Sequence, residues 1–406
     1  MSFRISLSGM NAASADLNVT SNNIANVNTT GFKESRAEFG DVFAASAYGL
    51  AKNAIGAGVR LQAVAQQFGQ GNIDFTGRNL DLAINGQGFF TLSDGGSMVY
   101  SRAGNFGADK DGFVVNASGQ RLQVYLPNAA GNGFDTGRLS DLQLSIGDSA
   151  PQPTGTVTVQ SNLPANATAP AVAPFDPTDP NTYNRTTSLT VYDSLGAAHS
   201  QSLYFVKTAN PNEWQVHTYI DGTAVGGAQT LQYSDTGTLT SPSPGQIALP
   251  AYTPATGAAD MAITLDLGAS TQYGESFSLA ALTQDGYTTG RLTGIDVTSD
   301  GVVQARYTNG VSTPLGQVAM TNFANPQGLQ PLGDNGWAET SESGQPRRGQ
   351  AGTSEFGAIN GGALESSNVD LTAQLVNMIT AQRNFQANAQ MIQTQDQVTQ
   401  TVINIR

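Results

Sequence analysis

The side chains able to do chemistry are few and scattered. Two histidines, His199 and His217, lie in segments that read as adjacent strands. Imidazoles build a metal site when carboxylates or thiolates join them at ligand spacing, and no such cluster accompanies this pair. Cysteine is absent, which excludes disulfides and thiolate ligation. Gly86-Gln87-Gly88 lacks the third glycine and following helix of a dinucleotide-binding loop, and it reads as a hairpin. Triplets beginning at Asn116, Asn166 and Asn184 fit the glycosylation pattern, but chance matches are expected in a chain this rich in Asn, Ser and Thr. Carboxylates sit mainly at turns, where Asp bonds its own backbone, and no pair stands out as a glycosidase acid and nucleophile. Neither a catalytic constellation nor a cofactor or metal site is expected, and the chain reads as a non-enzyme.

Composition narrows the partners. The chain has 406 residues, a net charge of −13, 46 glycines, and only 12% charged residues against 39% hydrophobic. That charge disfavours nucleic acid and anionic membrane. The first residues do not form a basic region followed by an apolar one, so no Sec-type signal is expected. No run of apolar residues is long enough to span a bilayer.

The elements that organise the chain are at its two ends. From Val369 to Arg406 there is no Gly or Pro. Leu371, Leu375, Met378, Phe385, Ala389 and Ile392 follow a 4-3 spacing with Gln382 in the gap, a coiled-coil seam. The stripe then drifts to Val398, Val402 and Ile405. Asn368 or Asp370 is suited to cap the start of the helix. Phe3, Leu7, Met10, Ser14, Leu17, Ser21 and Ile24 repeat the spacing at the other end, which predicts an antiparallel or crossed helical pair. The rest of each helix is amide- and hydroxyl-rich, with eight Gln and four Asn between Leu371 and Arg406. A solvated helix usually carries Lys and Glu there, so these faces fit better against copies of themselves.

Between the ends the period changes to two. The expected fold class is multi-domain and mainly β with a terminal α-helical coiled coil. The architecture is nested: both termini pair as helices, and two β domains are inserted between them. The N-terminal helix spans 1–26 and an extended connector 27–71. A first β domain is expected in two parts, 72–148 and 288–363, with a hairpin turn at Asn85-Gly86. An inserted outer β domain spans 149–287. Its entry, 149–185, is Pro-rich and reads as a linker with one lone strand from Thr156. The C-terminal helix occupies 364–406.

Four stretches resemble one family. S-N-N-I-A-N-V-N-T-T-G-F-K, carrying Asn22, Asn23, Ile24, Ala25, Asn26, Gly31, Phe32 and Lys33, is similar to the N-terminal signature of bacterial flagellar axial proteins, the rod and hook family. G-A-L-E-S-S-N-V-D-L-T-A-Q-L-V-N-M-I-T-A-Q-R-N-F-Q, from Gly362, resembles the C-terminal signature. Gly77 to Ile84 with Gly88-Phe89-Phe90, and Tyr100 to Phe106, also match. The run V-Y-D-S-L-G-A-A-H-S-Q-S-L-Y-F-V-K, from Val191 to Lys207, and the length point to the hook branch rather than the shorter rod branch.

The resemblance implies a structural subunit of a helical homopolymer, extracellular and part of the flagellum. Paired terminal helices would line an export channel, and the tube would transmit torque as a flexible joint. Phe3, Leu7, Met10, Leu17, Ile24, Leu371, Leu375, Met378, Phe385, Ile392, Val398 and Val402 would form the subunit interface. Implied partners are further copies of the chain, a distal rod protein, a hook cap protein, a hook–filament junction protein and the flagellar type III export apparatus. Neither nucleic acid nor membrane insertion is implied. Phe39 and Phe43 resemble a short export-gate motif and equally suit a strand anchor. The alternatives are a distal rod protein of the same family, a secreted β-rich adhesin or fibre protein, and a glycan hydrolase.

Overall fold

The structure, a computed structural model, describes residues 2–42, 56–128, 133–144 and 147–404. It divides into two units. Unit 1 comprises Met1–Ile146, Gly294–Arg306 and Ser312–Arg406; unit 2 comprises Gly147–Thr293 and Tyr307–Val311.

Unit 1 begins with α1 (Ser2–Ala25) and ends with α2 (Leu371–Asn404). At about 1.5 Å per residue they are roughly 36 and 51 Å long. The pair is antiparallel. The Asn23 side chain donates to Gln374 Oε1, and a Cβ added at Gly9 would lie 2.6 Å from Asn388 Oδ1. The step from Asn23 back to Gly9 therefore matches the step from Gln374 forward to Asn388. This register sets Ser2 beside Gln395, so residues 396–404 run past the start of α1. Asp370 caps α2 by accepting from the Thr372 and Ala373 amides, whereas Asn368 is occupied elsewhere. The helix starts at Leu371 and not at 364, because Ala363–Glu365 is first used as a strand.

Residues 27–71, expected as an extended connector, contain an antiparallel ribbon of β1 (Ser35–Asp41) and β2 (Val59–Gln66). β3 (Ile73–Phe75) then pairs with Ala363–Glu365, and β4 (Leu82–Asn85) pairs with Ala358–Gly361. The expected hairpin at Asn85-Gly86 does not form. β4 and β5 (Phe89–Asp94) belong to different sheets, and Gly86-Gln87-Gly88 crosses between them. Both glycines have positive φ, and a Cβ on Gly86 would sit 2.8 Å from Gly357 Cα. Leu82, Ala83 and Ile84 are all buried, a doubly covered strand rather than an alternating one.

The main sheet of unit 1 runs in the order Leu292–Val297, Val302–Tyr307, Ser312–Asn322, Arg121–Tyr125, β5, β6 (Ser97–Ser101), Gly336–Ala338 and Gln330–Gly333. Late strands therefore sit beside early ones. Leu82, Ile84, Phe90, Leu92, Leu122, Val124, Val318 and Met320 fill the core. A second cluster joins the ribbon to the sheet. Phe68 meets Phe89 and Trp337 edge-on at 5.5 Å each, and Trp337 Nε1 donates to Gln66 Oε1 at 2.6 Å.

Unit 2 has its own core. One sheet is built from Arg185–Tyr192, Ala198–Lys207, Glu213–Ile220, Gln229–Tyr233 and Leu239–Ser241. In the second, Thr156–Pro164 pairs parallel with Thr264–Asp266 and Thr271–Tyr273, and antiparallel with Ser278–Gln284. The strand at Thr156 is thus no lone element in a linker. Val157, Val159 and Leu163 are buried with Leu203, Phe205, Trp214 and Leu265 in one cluster fed by both sheets. The strands that Thr156–Pro164 pairs with are more than a hundred residues away in sequence, so nothing local marks it.

Gly31 offers a direct test of unit 1. It has φ 69°, and a Cβ there would lie 2.5 Å from the Ala103 amide nitrogen. Gly31→Ala is expected to destabilise unit 1 by about 2 kcal/mol or more, read as a lower denaturant midpoint with unit 2 unchanged.

Candidate assembly interface and the joint behind it

The N-terminal signature closes a joint. Its two ends are tied by hydrogen bonds between side chains and backbone. Asn23 Oδ1 accepts from the Ser35 amide and its Nδ2 donates to Ser35 O, 2.9 and 2.7 Å. Gln374 donates to Glu34 Oε1, and Asn368 accepts from the Glu34 amide and donates to Gln67 O. Asn26 holds Thr29 and the last turn of α1 through Asn22. Asn335 donates to Thr30 O, and the Gly31 amide donates to Glu365 O. Ile24 and Phe32 are half-buried, and Ala25 is exposed.

At the centre is an ion cluster. Lys33 Nζ lies 2.6 Å from Glu365 Oε1, and Arg102 Nη1 lies 3.2 Å from Glu365 Oε2. The side chains of Lys33 and Glu365 are fully buried and that of Arg102 is 5% exposed. Lys33 also donates to Gly69 O, Arg102 to Gly86 O, and the Gly71 amide to Glu365 Oε1. Burial pulls both cations below their ordinary pKa. Glu365 opposes this in each case, and the neighbouring Arg102 charge lowers Lys33 further. Removing one partner of such a pair typically costs about 3–5 kcal/mol, because it strands a buried charge. Glu365 and Arg102 were legible only as letters within two separate motifs. The signal was Lys33, a single cation ending a signature nearly free of charge.

The helix surfaces are partitioned differently from the sequence expectation. On α1 the buried positions are Ser6, Ala13, Thr20 and Asn23. On α2 Gln374 and Ala381 are buried, and Met378, Phe385, Asn388, Ile392 and Gln395 are half-buried, which is itself a 4-3 spacing. The fully buried positions are therefore small or polar, and Met378, Phe385 and Ile392, of the expected α2 seam, are half-buried between them. Leu371 and Leu375 are exposed, and so are Val376, Ile379, Met391 and Val398. Phe3 and Leu7 are exposed on α1, while Met10, Leu17 and Ile24 are half-buried. The apolar stripe is thus divided, with Met378, Phe385 and Ile392 half-buried and Leu371 and Leu375 exposed. Small residues at the contact allow close backbone approach, as Gly9 against Asn388 shows. Phe39 sits in β1 opposite Leu61, both exposed. Phe43 and the side chain of Val402 lie outside the described residues.

The two histidines of unit 2 point to opposite faces of their sheet, His199 inward and His217 outward, so they cannot share a metal. His199 is clamped between carboxylates, Nδ1 at 2.6 Å from Asp221 and Nε2 at 3.2 Å from Asp193. Asp193 also accepts from the Leu195 and Ala197 amides and the Thr256 hydroxyl. The V-Y-D-S-L-G-A-A-H run is thus a turn locked by its own first acid and last histidine.

Two terminal helices around β units, joined by a buried cluster drawn from the signature motifs, define a flagellar axial protein. Family models agree along the chain: "Flagella basal body rod protein" at 3–33, "Flagellar hook protein FlgE/F/G D1 domain" at 83–171, "Flagellar basal body protein FlaE D2 domain" at 162–287, and "Flagellar basal body rod FlgEFG protein C-terminal" at 360–405. The chain is 41% identical to the flagellar hook protein FlgE of Escherichia coli, with all of both chains covered. It is 33% identical to that of Treponema pallidum over 98% of each. The solved structure of Helicobacter pylori FlgE2 shares the fold, with TM-score 0.55 and 16% identity, over 72% of this chain and all of that one. The chain belongs to the flagellar hook protein family, as a structural subunit of the bacterial flagellar hook.

The histidine clamp predicts a pH profile. Burial works against the His199 charge, but Asp221 and Asp193 outweigh it and raise its pKa. Its contribution is therefore complete below the ordinary imidazole value and is lost as pH rises through the raised folded value. Burial likewise opposes the Asp193 charge, but Thr256, the Ala197 amide, His199 and the Leu195 amide bring it down to about 2. Its contribution is complete above the ordinary carboxylate value and is lost as pH falls toward that figure. The stability difference between wild type and His199→Gln should be largest between roughly pH 5 and 6.5 and shrink on either side, followed by calorimetry. A pH-independent difference would remove the clamp.

Proposed function

We propose that the apolar stripes left open on α1 and α2 are the surfaces through which copies of this chain join into a tube. The observation that carries it is the exposure of Leu375, Val376 and Ile379, at 45, 58 and 50%, on a helix whose fully buried positions are Gln374 and Ala381. A lone subunit would leave these residues in water, and a neighbour's helices would cover them. The tube links rod to filament, bends as it turns and encloses the export channel. A distal rod protein, a cap protein and a junction protein are its neighbours, and the type III export apparatus delivers it. Low charge on the helices suits sliding contacts, since no desolvated ion pair need break at each rotation. The chain acts by assembly, not catalysis. Unit 2, with its self-contained core, favours the hook role over a stiff distal rod protein.

Isolated helices gain little from propensity, and most of their stability comes from packing an apolar face. Beyond the joint at Asn23 and Gln374, the two terminal helices are therefore expected to be largely disordered before assembly, giving random-coil amide shifts in dilute solution. Strong exchange protection there would overturn this. Leu375→Asp should leave the β units folded but raise the critical concentration for tube formation tenfold or more, since it removes apolar burial at the contact and puts a carboxylate there to be desolvated. Electron microscopy and sedimentation measure it. Unchanged tubes would place the contact elsewhere.

A further inference from the structure

Glu365 serves two cations that reach it from different parts of the chain, and its backbone and carboxylate also hold the Gly31 and Gly71 amides. Lys33 lies on the arm that follows α1, Arg102 on the β core beside β6, and Glu365 on the strand that leads into α2. When the arm docks, Lys33 moves into the neighbourhood of the Arg102 guanidinium, whose carbon lies 5.5 Å from the Phe89 ring centre. An aromatic face accommodates one cation, but it does not compensate a second. Glu365 is the acid that ion-pairs with both among the described residues.

We propose that Glu365 is a latch: the arm carrying α1 docks on the β core only once the strand leading into α2 has delivered this carboxylate. The consequence is that the two helices are mounted together. The residues seated by docking are the ones that set the helix register. Asn23 takes Ser35 and Gln374, and Glu34 takes Gln374 and Asn368. A docked α1 arm without its α2 partner would be a subunit with half an assembly surface, and the buried charges exclude that state. The latch acts within one chain and does not depend on the tube reading. It adds to that reading a rule for which subunits are competent to join.

The test is hydrogen exchange at the amides of residues 31–41 in full-length protein before assembly, with Phe89–Asp94 as the internal reference for an intact core. Wild type should protect the Gly31 and Ser35 amides. Glu365→Gln keeps the shape and the acceptor for Gly71 but lacks the charge, and it should speed exchange at 31–41 by about a hundredfold or more, with the reference strand unchanged. The triple variant Lys33→Met, Arg102→Met, Glu365→Met has no charge to compensate and should restore protection. The latch is overturned if wild type lacks protection at these amides, if Glu365→Gln exchanges like wild type, or if the triple variant is as open as Glu365→Gln. The last result would mean that general packing, not charge, holds the arm. Wild-type chains that show the latch but form no tubes would fault the assembly reading alone.

Discussion

One carboxylate determines how this chain is closed. Glu365 binds Lys33 and Arg102, and the three belong to three separate stretches that resemble the family. A buried ion group of this kind is a poor source of net stability, because desolvation offsets much of the attraction. Its value is in what it forbids. Hydrophobic contacts tolerate slippage, but a buried ammonium tolerates almost none, so the arm after α1 has one seat. The surrounding bonds from Asn23, Gln374 and Asn368 then transmit that seat to both helices.

The helix pair follows from this division of labour. With the register set at the joint, α1 and α2 need no apolar seam to find each other. The buried and closely approaching positions are Ser6, Gly9, Ala13 and Thr20 on α1 and Gln374, Ala381 and Asn388 on α2, with Met378, Phe385 and Ile392 half-buried in the same row. Leu371, Leu375, Val376 and Ile379 are left on the outer flank, where a polymer can use them. A single chain that spent Leu371 and Leu375 on its own partner helix would be a better monomer and a worse building block.

Unit 2 is built on the opposite plan. Its core is closed, strongly alternating and centred on Trp214, Phe205 and Leu203, with Thr156–Pro164 threaded among later strands. His199 between Asp193 and Asp221 locks one turn of it. Such a module can be inserted into the chain with little demand on the rest, because its hydrophobic core is drawn from its own residues.

The sequence by itself determined the elements and their kind. Heptad spacing at both ends, period-two segments between them, and Gly- and Asn-rich punctuation are local properties, so the helices, most strands and the nested order could be read from it. The signature stretches pointed to the axial family for the same reason, since each is contiguous. Tertiary structure alone decided what meets what. The stripe at Leu371 and Leu375 has the same period whether it faces α1 or a neighbour, and only three-dimensional packing showed Gln374 and Ala381 buried and those leucines exposed. Asn85-Gly86 carries the residues of a tight hairpin, yet Ala358–Gly361 captures β4 first and turns the glycines into a crossing. Arg102 and Glu365 are each unremarkable in their own segments, and Lys33 stands out only as the one charge of its signature. A buried charge is recognisable only from its surroundings, and those surroundings come from three distant stretches of chain.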